Sequence, residues 1–283
     1  MSDLGPRTIQ ALGLHINKLT ELKLTSLHID SISQLASLPT PPLLAVLVLT
    51  DSMPAGRDEE FYAVVSRLAG WIRSCKALRK LELRRFVDDA RLLSQALDGE
   101  DLKLETLSMA GYSIESNQGR AFHITLPAQK SSLRRLYLNG MGSSMPEYNN
   151  ILFDAVGEMK NLRELELKDI SDYFTNEQII SLTSHLPNLE KLWISGEDVT
   201  DEVWSAFLQL PKLRTLIIQA ICEFTAQGIL DFVSQLGPER QGFSLSILNA
   251  VKDIAEEAQI VIRDVIREQL GGSFDFGLAR GAY

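Results

Sequence analysis

Residues 162–167 read LRELEL, and 27 residues later residues 189–194 read LEKLWI. In each hexamer the first, fourth and sixth residues are Leu or Ile, while the third and fifth are charged or aromatic. Alternation with period two is the signature of a strand with one buried face, so Leu165 and Leu167 point one way, Glu164 and Glu166 the other. Working outward, the pattern L-x-x-L-x-L, with Ile or Met allowed last, occurs eight times, starting at Leu19, Leu44, Leu78, Leu104, Leu133, Leu162, Leu189 and Leu213. The starts are separated by 25, 34, 26, 29, 29, 27 and 24 residues. One such hexamer is common in any Leu-rich chain; eight at this spacing are an internal repeat.

Between the hexamers lies apolar periodicity of helical type, in residues 59–75, 149–160, 175–186 and 200–210. Thr175 and Gln178 have capping-box spacing, Thr200 or Asp201 is placed to cap the next helix, and Pro187 and Pro211 fall where a helix should stop. Strand, turn and helix in a unit of this length are the period and anchors of leucine-rich repeats. The expected fold is an α/β leucine-rich-repeat solenoid, a horseshoe with a parallel sheet on its concave side and helices on its convex side. The expected organisation is an extension or partial repeat over 1–18, the solenoid over 19–249, and a cap over 250–283. The cap comprises a helix over 251–270, with Ile254, Ala258, Val261, Val265 and Leu270 on its inner face, and a short strand in SFDFGLA. GFSLSIL, before the helix, reads as a ninth strand. Residues 51–58, 111–129 and 140–149 read as irregular loops.

Two features depart from the repeat consensus. Position nine, where an Asn or Cys side chain satisfies loop backbone, holds Leu27, Ser52, Phe86, Tyr112, Met141, Ile170, Glu197 and Ile221; the inner edge is therefore expected to be packed by apolar groups. Upstream, Ile9, Leu12, Leu14 and Ile16 form at best part of a preceding repeat, which leaves the first strand with an unpaired edge and suggests a shortened product of a longer ancestor.

Composition and motifs narrow the function. The chain is 45% hydrophobic and carries a formal net charge of −9, which disfavours nucleic acid and anionic membrane surfaces as partners. No apolar run approaches the roughly 20 residues that span a bilayer, no signal peptide opens the sequence, and a cytoplasmic or nuclear location is expected. The letters Asp275-Phe276-Gly277 near the end match a kinase magnesium-binding motif, but no Gly-rich loop or His-Arg-Asp accompanies them and only six residues follow Gly277. They read better as alternating apolar residues of the last strand. His15, His28, His123 and His185 fall in different repeats, Cys75 and Cys222 read as free thiols, and no metal, cofactor or nucleophile motif appears. No enzyme is expected.

A binding surface is legible instead. Position five faces the concave side and reads Lys23, Val48, Glu82, Ser108, Tyr137, Glu166, Trp193, Ile217. Outward Trp beside outward Ile is costly in water unless covered, and Trp and Tyr dominate interface hot spots. The candidate partner-binding residues are Tyr137, Trp193 and Ile217 as an exposed strip, with Glu166 and Lys191 along its edges. Trp71 and Trp204 lie in helical segments and are expected in the core. Opposite charges at positions two and three of adjacent repeats are expected to form cross-strand ion pairs.

The ending, GFSLSILNA followed by IVIRDVIREQLGGSFDFGLAR, together with degenerate repeats lacking an Asn ladder, resembles the repeat domain of fungal F-box/leucine-rich-repeat proteins. The resemblance implies a protein-interaction domain that recognises substrates for an SCF-type ubiquitin ligase. The F-box that docks on Skp1 has no counterpart ahead of Leu19, so Skp1 docking is not expected. The alternative is a stand-alone inhibitor or GTPase-regulator-like solenoid.

Overall fold

The computed structural model describes residues 5–53, 59–86, 88–99, 101–112, 117–140, 147–171 and 174–279. The chain divides into two compact units, Met1–Leu138 and Asn139–Tyr283.

In the first unit the strands are β1 (Glu21–His28), β2 (Val46–Met53), β3 (Lys80–Arg84) and β4 (Thr106–Tyr112), with β5 (Arg135–Gly140) at the boundary. The first four pair in parallel and in chain order. Register stacks the same repeat position in each strand: Leu22, Leu47, Leu81 and Leu107 form one column, Leu24, Leu49, Leu83 and Met109 the next. All eight are buried. At roughly 2 kcal/mol for each large apolar side chain removed from water, these columns are the main source of the unit's stability. Helix α1 (Pro6–Leu12) precedes β1, and α2 (Ile29–Ala36), α3 (Glu59–Ser74), α4 (Asp89–Ala96) and α5 (Asn117–Thr125) run between the strands. Residues 6–18 are helical, not a strand, and bury Ile9 and Ile16 while Leu14 stays exposed. The expected loop over 111–129 is corrected in its second half, since α5 is followed by a 3-10 turn, Leu126–Gln129. Buried Gln129 fastens that turn to the previous repeat, donating from Nε2 to Leu102 O (2.8 Å) and accepting from Leu104 N (2.9 Å). The remaining loop segments, 54–58, 113–116 and 141–146, lie outside the described residues.

The second unit repeats the scheme with β6 (Glu164–Lys168), β7 (Lys191–Thr200), β8 (Thr215–Glu223), β9 (Ser244–Ala250) and β10 (Ser273–Leu278). They pair in parallel, in chain order, with columns Leu165–Leu192–Leu216–Leu245–Phe274 and Leu167–Ile194–Ile218–Ile247–Phe276. Helices α6 (Glu147–Gly157), α7 (Asn176–Ser184), α8 (Trp204–Leu208), α9 (Ala226–Ser234) and α10 (Glu256–Leu270) alternate with them. Thr175 and Gln178 form the expected capping box at α7. Asp201 does not cap its own helix. Its carboxylate accepts from Trp204 Nε1 (2.9 Å) and from the Thr225 hydroxyl of the next repeat (2.6 Å). Asn176 likewise bonds Thr200 of its neighbour (2.7 and 3.2 Å). Polar ladders therefore exist, but at the helix starts rather than at position nine. Trp204 is buried against Phe232 and Phe224 at 4.8 and 4.5 Å, and Trp71 is buried in α3.

The inner face of α10 is set one residue off the expected register. Ile262, Ile266 and Leu270 are buried, whereas Val261 is exposed and Ile254 is buried ahead of the helix. Spacing of four, not a mixture of three and four, defines the contact stripe. Gly271 ends α10 at φ 61°, and a side chain on Gly272 would put its Cβ 1.7 Å from Phe243 O. Only glycine lets β10 start so close to the preceding repeat. The kinase letters thus occupy an edge strand, with Phe274 buried, Phe276 half-buried and Leu278 exposed; the expected even alternation is broken by a register shift between Phe276 and Leu278. No described helix is long and apolar enough to cross a membrane.

Candidate site on the open sheet face of the second unit

What the sheet presents on the side away from its helices depends on one backbone detail. In β1, β3, β4, β6 and β9 the eighth repeat residue adopts a left-handed conformation: Ser26 (φ 56°), Arg85 (49°), Gly111 (88°), Asp169 (50°) and Asn249 (67°). A left-handed residue breaks the period-two alternation and turns the next side chain inward. Leu27, Phe86, Ile170 and Ala250 are buried for this reason; Tyr112 and Ser52 lie outside the described side chains and Met141 outside the described residues. An inward ninth residue, not an asparagine, closes these repeats.

The two repeats of β7 and β8 do otherwise, which corrects the expectation for Glu197 and Ile221. In β7 the left-handed residue comes two positions late, at Asp198 (φ 53°), and Val199 turns inward. β8 has none: Ala220 and Cys222 are buried and Ile221 points out, 43% exposed. Register shifts between Gly196 and Val199 and between Gln219 and Cys222 accommodate the difference. They set Glu197 and Asp198 opposite Ile221, between the paired residues Gly196–Ala220 and Val199–Cys222.

Position five forms a row across the unit, Glu166, Trp193, Ile217, Ser246 and Asp275 in successive register. Trp193 and Ile217 are neighbours, as expected, but both are half-buried rather than fully exposed. Lys168 lies over the Trp193 ring, its Nζ 4.8 Å from the centroid, a cation–π contact between neighbouring strands. Trp193 Nε1 is sealed from solvent and has no hydrogen-bond partner among the described residues. Lys191 Nζ meets Glu166 at 2.6 Å, so both named edge residues are engaged with each other across β6 and β7. Of the other expected cross-strand pairs, Arg163 and Glu190 meet at 3.6 Å. Tyr137, on β5, belongs to the first unit and is half-buried.

The sequence reading missed Ile221 and Leu248. Leu248 follows Ile247 on the open side, half-buried in register with Gln219. A signal for Ile221 was present: its repeat holds Ala220 at position eight, where the others, apart from Arg85, hold Ser, Asp, Asn or Gly, residues that reach left-handed conformations at least cost. Elsewhere, Cys75 and Cys222 are buried free thiols, pushed up to about 12 by burial and so poor nucleophiles at neutral pH. Among the described residues no three His, Cys, Asp or Glu side chains gather as metal ligands would.

Neither a family model nor a curated protein matches the sequence. The chain is similar in structure to an internalin (inlF) from Listeria monocytogenes, with a TM-score of 0.37 and 13% identity over 96% of this chain and 93% of that one. It is also similar to a chain of the yeast Rad7 and Elc1 complex, with a TM-score of 0.43 and 14% identity over 97% and 76%. The assignment as an α/β leucine-rich-repeat fold rests on the strand registers and repeat columns themselves.

Proposed function

We propose that this chain is a protein-interaction scaffold, and that its partner docks on the open sheet face of the second unit. The observation that carries the reading is the continuous apolar row of Trp193 and Ile217, extended toward the strand ends by Leu248 and Ile221, on a face where the remaining row positions are polar. A large amphipathic ring beneath the Lys168 ammonium, half-buried and with the rest of its surface still in water, has the features of a hot-spot anchor. Tyr137, in the first unit, is proposed as a partner contact in its own right, and Glu166 and Lys191 as a polar margin of the second unit's face. A role in substrate recognition for a ubiquitin ligase rests on the sequence resemblance of the carboxyl-terminal segment; a stand-alone inhibitor or GTPase-regulator-like role would use the same face. Co-purification with Skp1 separates these two.

The docking reading is tested with peptides selected on the full chain from a random displayed library. Trp193→Ala should weaken the selected peptides by about 2 kcal/mol or more while leaving thermal stability nearly unchanged. Peptide affinities that survive both Trp193→Ala and Ile217→Ala would remove the site from consideration.

A further inference from the structure

The same face names the chemistry of its partner. Beyond the apolar row, β6, β7 and β8 bring carboxylates to one end of the sheet: Asp169 after β6, Glu197 and Asp198 within the last part of β7, and Glu223 closing β8. Glu197, Asp198 and Glu223 form no ion pair among the described residues, and Asp169 accepts only a neutral amide, Gln219 Nε2 at 3.2 Å. Of the basic groups near them, Lys168 lies over Trp193 and Lys191 is paired with Glu166, so the face's own cations are turned to the apolar row rather than to the rim. One further lysine, Lys252, follows the exposed Val251 and is itself followed by Asp253.

The acids and the apolar groups are interleaved rather than separate. The register shift puts Glu197 and Asp198 beside Ile221, and Glu223 lies two residues beyond it. Val251, 43% exposed, donates its backbone N–H to Cys222 O at 3.1 Å and so sits against the same strand end. A partner cannot cover Ile221 and Val251 without drawing water from these carboxylates. Burying carboxylates without countercharge costs several kcal/mol per group, more than the apolar gain from two aliphatic side chains, roughly 3–5 kcal/mol. A neutral or acidic apolar surface is therefore rejected, and one that brings cations to the rim is accepted. The chain's net charge of −9 favours encounter with the same class.

We propose that the partner presents a basic segment in which Lys or Arg flank a large apolar side chain, the apolar group packing on Trp193, Ile217 and Ile221 and the cations meeting Glu197, Asp198 and Glu223. This rests on the docking reading above and goes beyond it in naming the ligand's charge. The test selects a random displayed peptide library on the full chain and compares wild type with the triple variant Glu197→Gln, Asp198→Asn, Glu223→Gln. Those changes keep side-chain shape, and Asn tolerates the left-handed backbone of residue 198. Selected sequences should be enriched in Lys and Arg next to aromatic or aliphatic residues, and the triple variant should bind them about tenfold or more weakly at low salt, the difference shrinking as salt is raised. Peptides that are acidic or neutral, no selected peptide at all, or undiminished binding by the triple variant overturns the proposal. If Trp193→Ala still abolishes that binding, the docking face stands and only its charge preference falls; if neither variant matters, the docking reading falls with it.

Discussion

The two units put the same repeat position to opposite uses. In the first, position five reads Lys23, Val48, Glu82 and Ser108 in register; in the second, Glu166, Trp193, Ile217, Ser246 and Asp275. Val48 and Glu82 are buried at 7% exposure each, and the Glu82 carboxylate is gripped from its own strand by Lys80 at 3.4 Å and by Arg84. That face has balanced its charge internally and offers little apolar surface. The second unit's face leaves an indole and two isoleucines partly in water, and Glu197, Asp198 and Glu223 at its rim without an ion pair among the described residues. A repeat lattice fixes where side chains stand, and what they offer depends on whether neighbours on the same sheet already satisfy them.

The largest expected effect probes the first unit's interior, where two titratable groups are buried. Asp89, at the start of α4, accepts from Ala90 N at 2.7 Å through one oxygen while its other has no partner; burial pushes its carboxyl up to about 7. The ring of His123, buried in α5, is pushed down to about 4 by burial. The signs are opposite. Asp89, with a folded value above its ordinary 3.8, contributes stability that is complete below about pH 4 and lost as pH rises to about 7. His123, with a folded value below its ordinary 6.5, contributes stability that is complete above that pH and lost as it falls to about 4. In wild type the two slopes oppose each other over the same window. Asp89→Asn should raise stability most at neutral pH and leave a profile that climbs from pH 4 to 7, whereas His123→Gln should leave one that descends. Urea unfolding across pH reads both, and parallel wild-type and Asp89→Asn profiles would show that the Asp89 carboxyl is solvated.

A smaller effect tests the balanced face directly. Glu82→Gln removes the charge that Lys80 and Arg84 surround, and because those partners are 44% and 57% exposed, water screens much of the loss. The expected cost is about 1 kcal/mol of stability, with binding of selected peptides unchanged. Weaker peptide binding by this variant would mean that the charge-balanced row around Glu82 also docks the partner, and the contrast between the two rows would fail.

Much of this was legible in the sequence. Every hexamer begins its strand at its third residue, from Glu21 in β1 to Thr215 in β8, because the period-two alternation and the Leu columns are the same physical fact. Trp193, Ile217, Glu166 and Lys191 could be placed together because register in a parallel repeat sheet follows repeat position. Helices α2, α4, α5 and α9 have eight or nine residues and too few turns to show a period by themselves; α7, also nine residues, was legible because Thr175, Gln178 and Pro187 bracket it. Ile221 was placed wrongly because its direction depends on the backbone of Ala220, a conformational difference that hydrophobic pattern does not encode. The half-burial of Trp193 depends on Lys168, two residues past Glu166 on the neighbouring strand, a contact that no periodicity argument reaches.

The smallest expected effect tests the backbone device that separates the two kinds of repeat end. Ser26 sits left-handed at φ 56° and turns Leu27 into the core. A non-glycine residue in that region carries about 1 kcal/mol of steric strain, which glycine lacks, while glycine gives up more chain entropy on folding. The strain term wins where φ is already positive, so Ser26→Gly should stabilise the chain by roughly 0.5 kcal/mol. Thr25→Gly, one residue earlier in the ladder with β2, loses a side chain and gains nothing in backbone freedom, and should destabilise by about 1 kcal/mol. Ala220→Gly makes the sharper comparison. If a left-handed eighth residue is all that turns the ninth inward, glycine at 220 should let β8 follow the other repeats, drawing Ile221 toward the core at the expense of Cys222. Selected peptides would then bind more weakly although no surface side chain had been removed. Unchanged binding and an unchanged register would show that the packing of Cys222 and Phe224, both buried, holds β8 in its alternation whatever residue 220 allows.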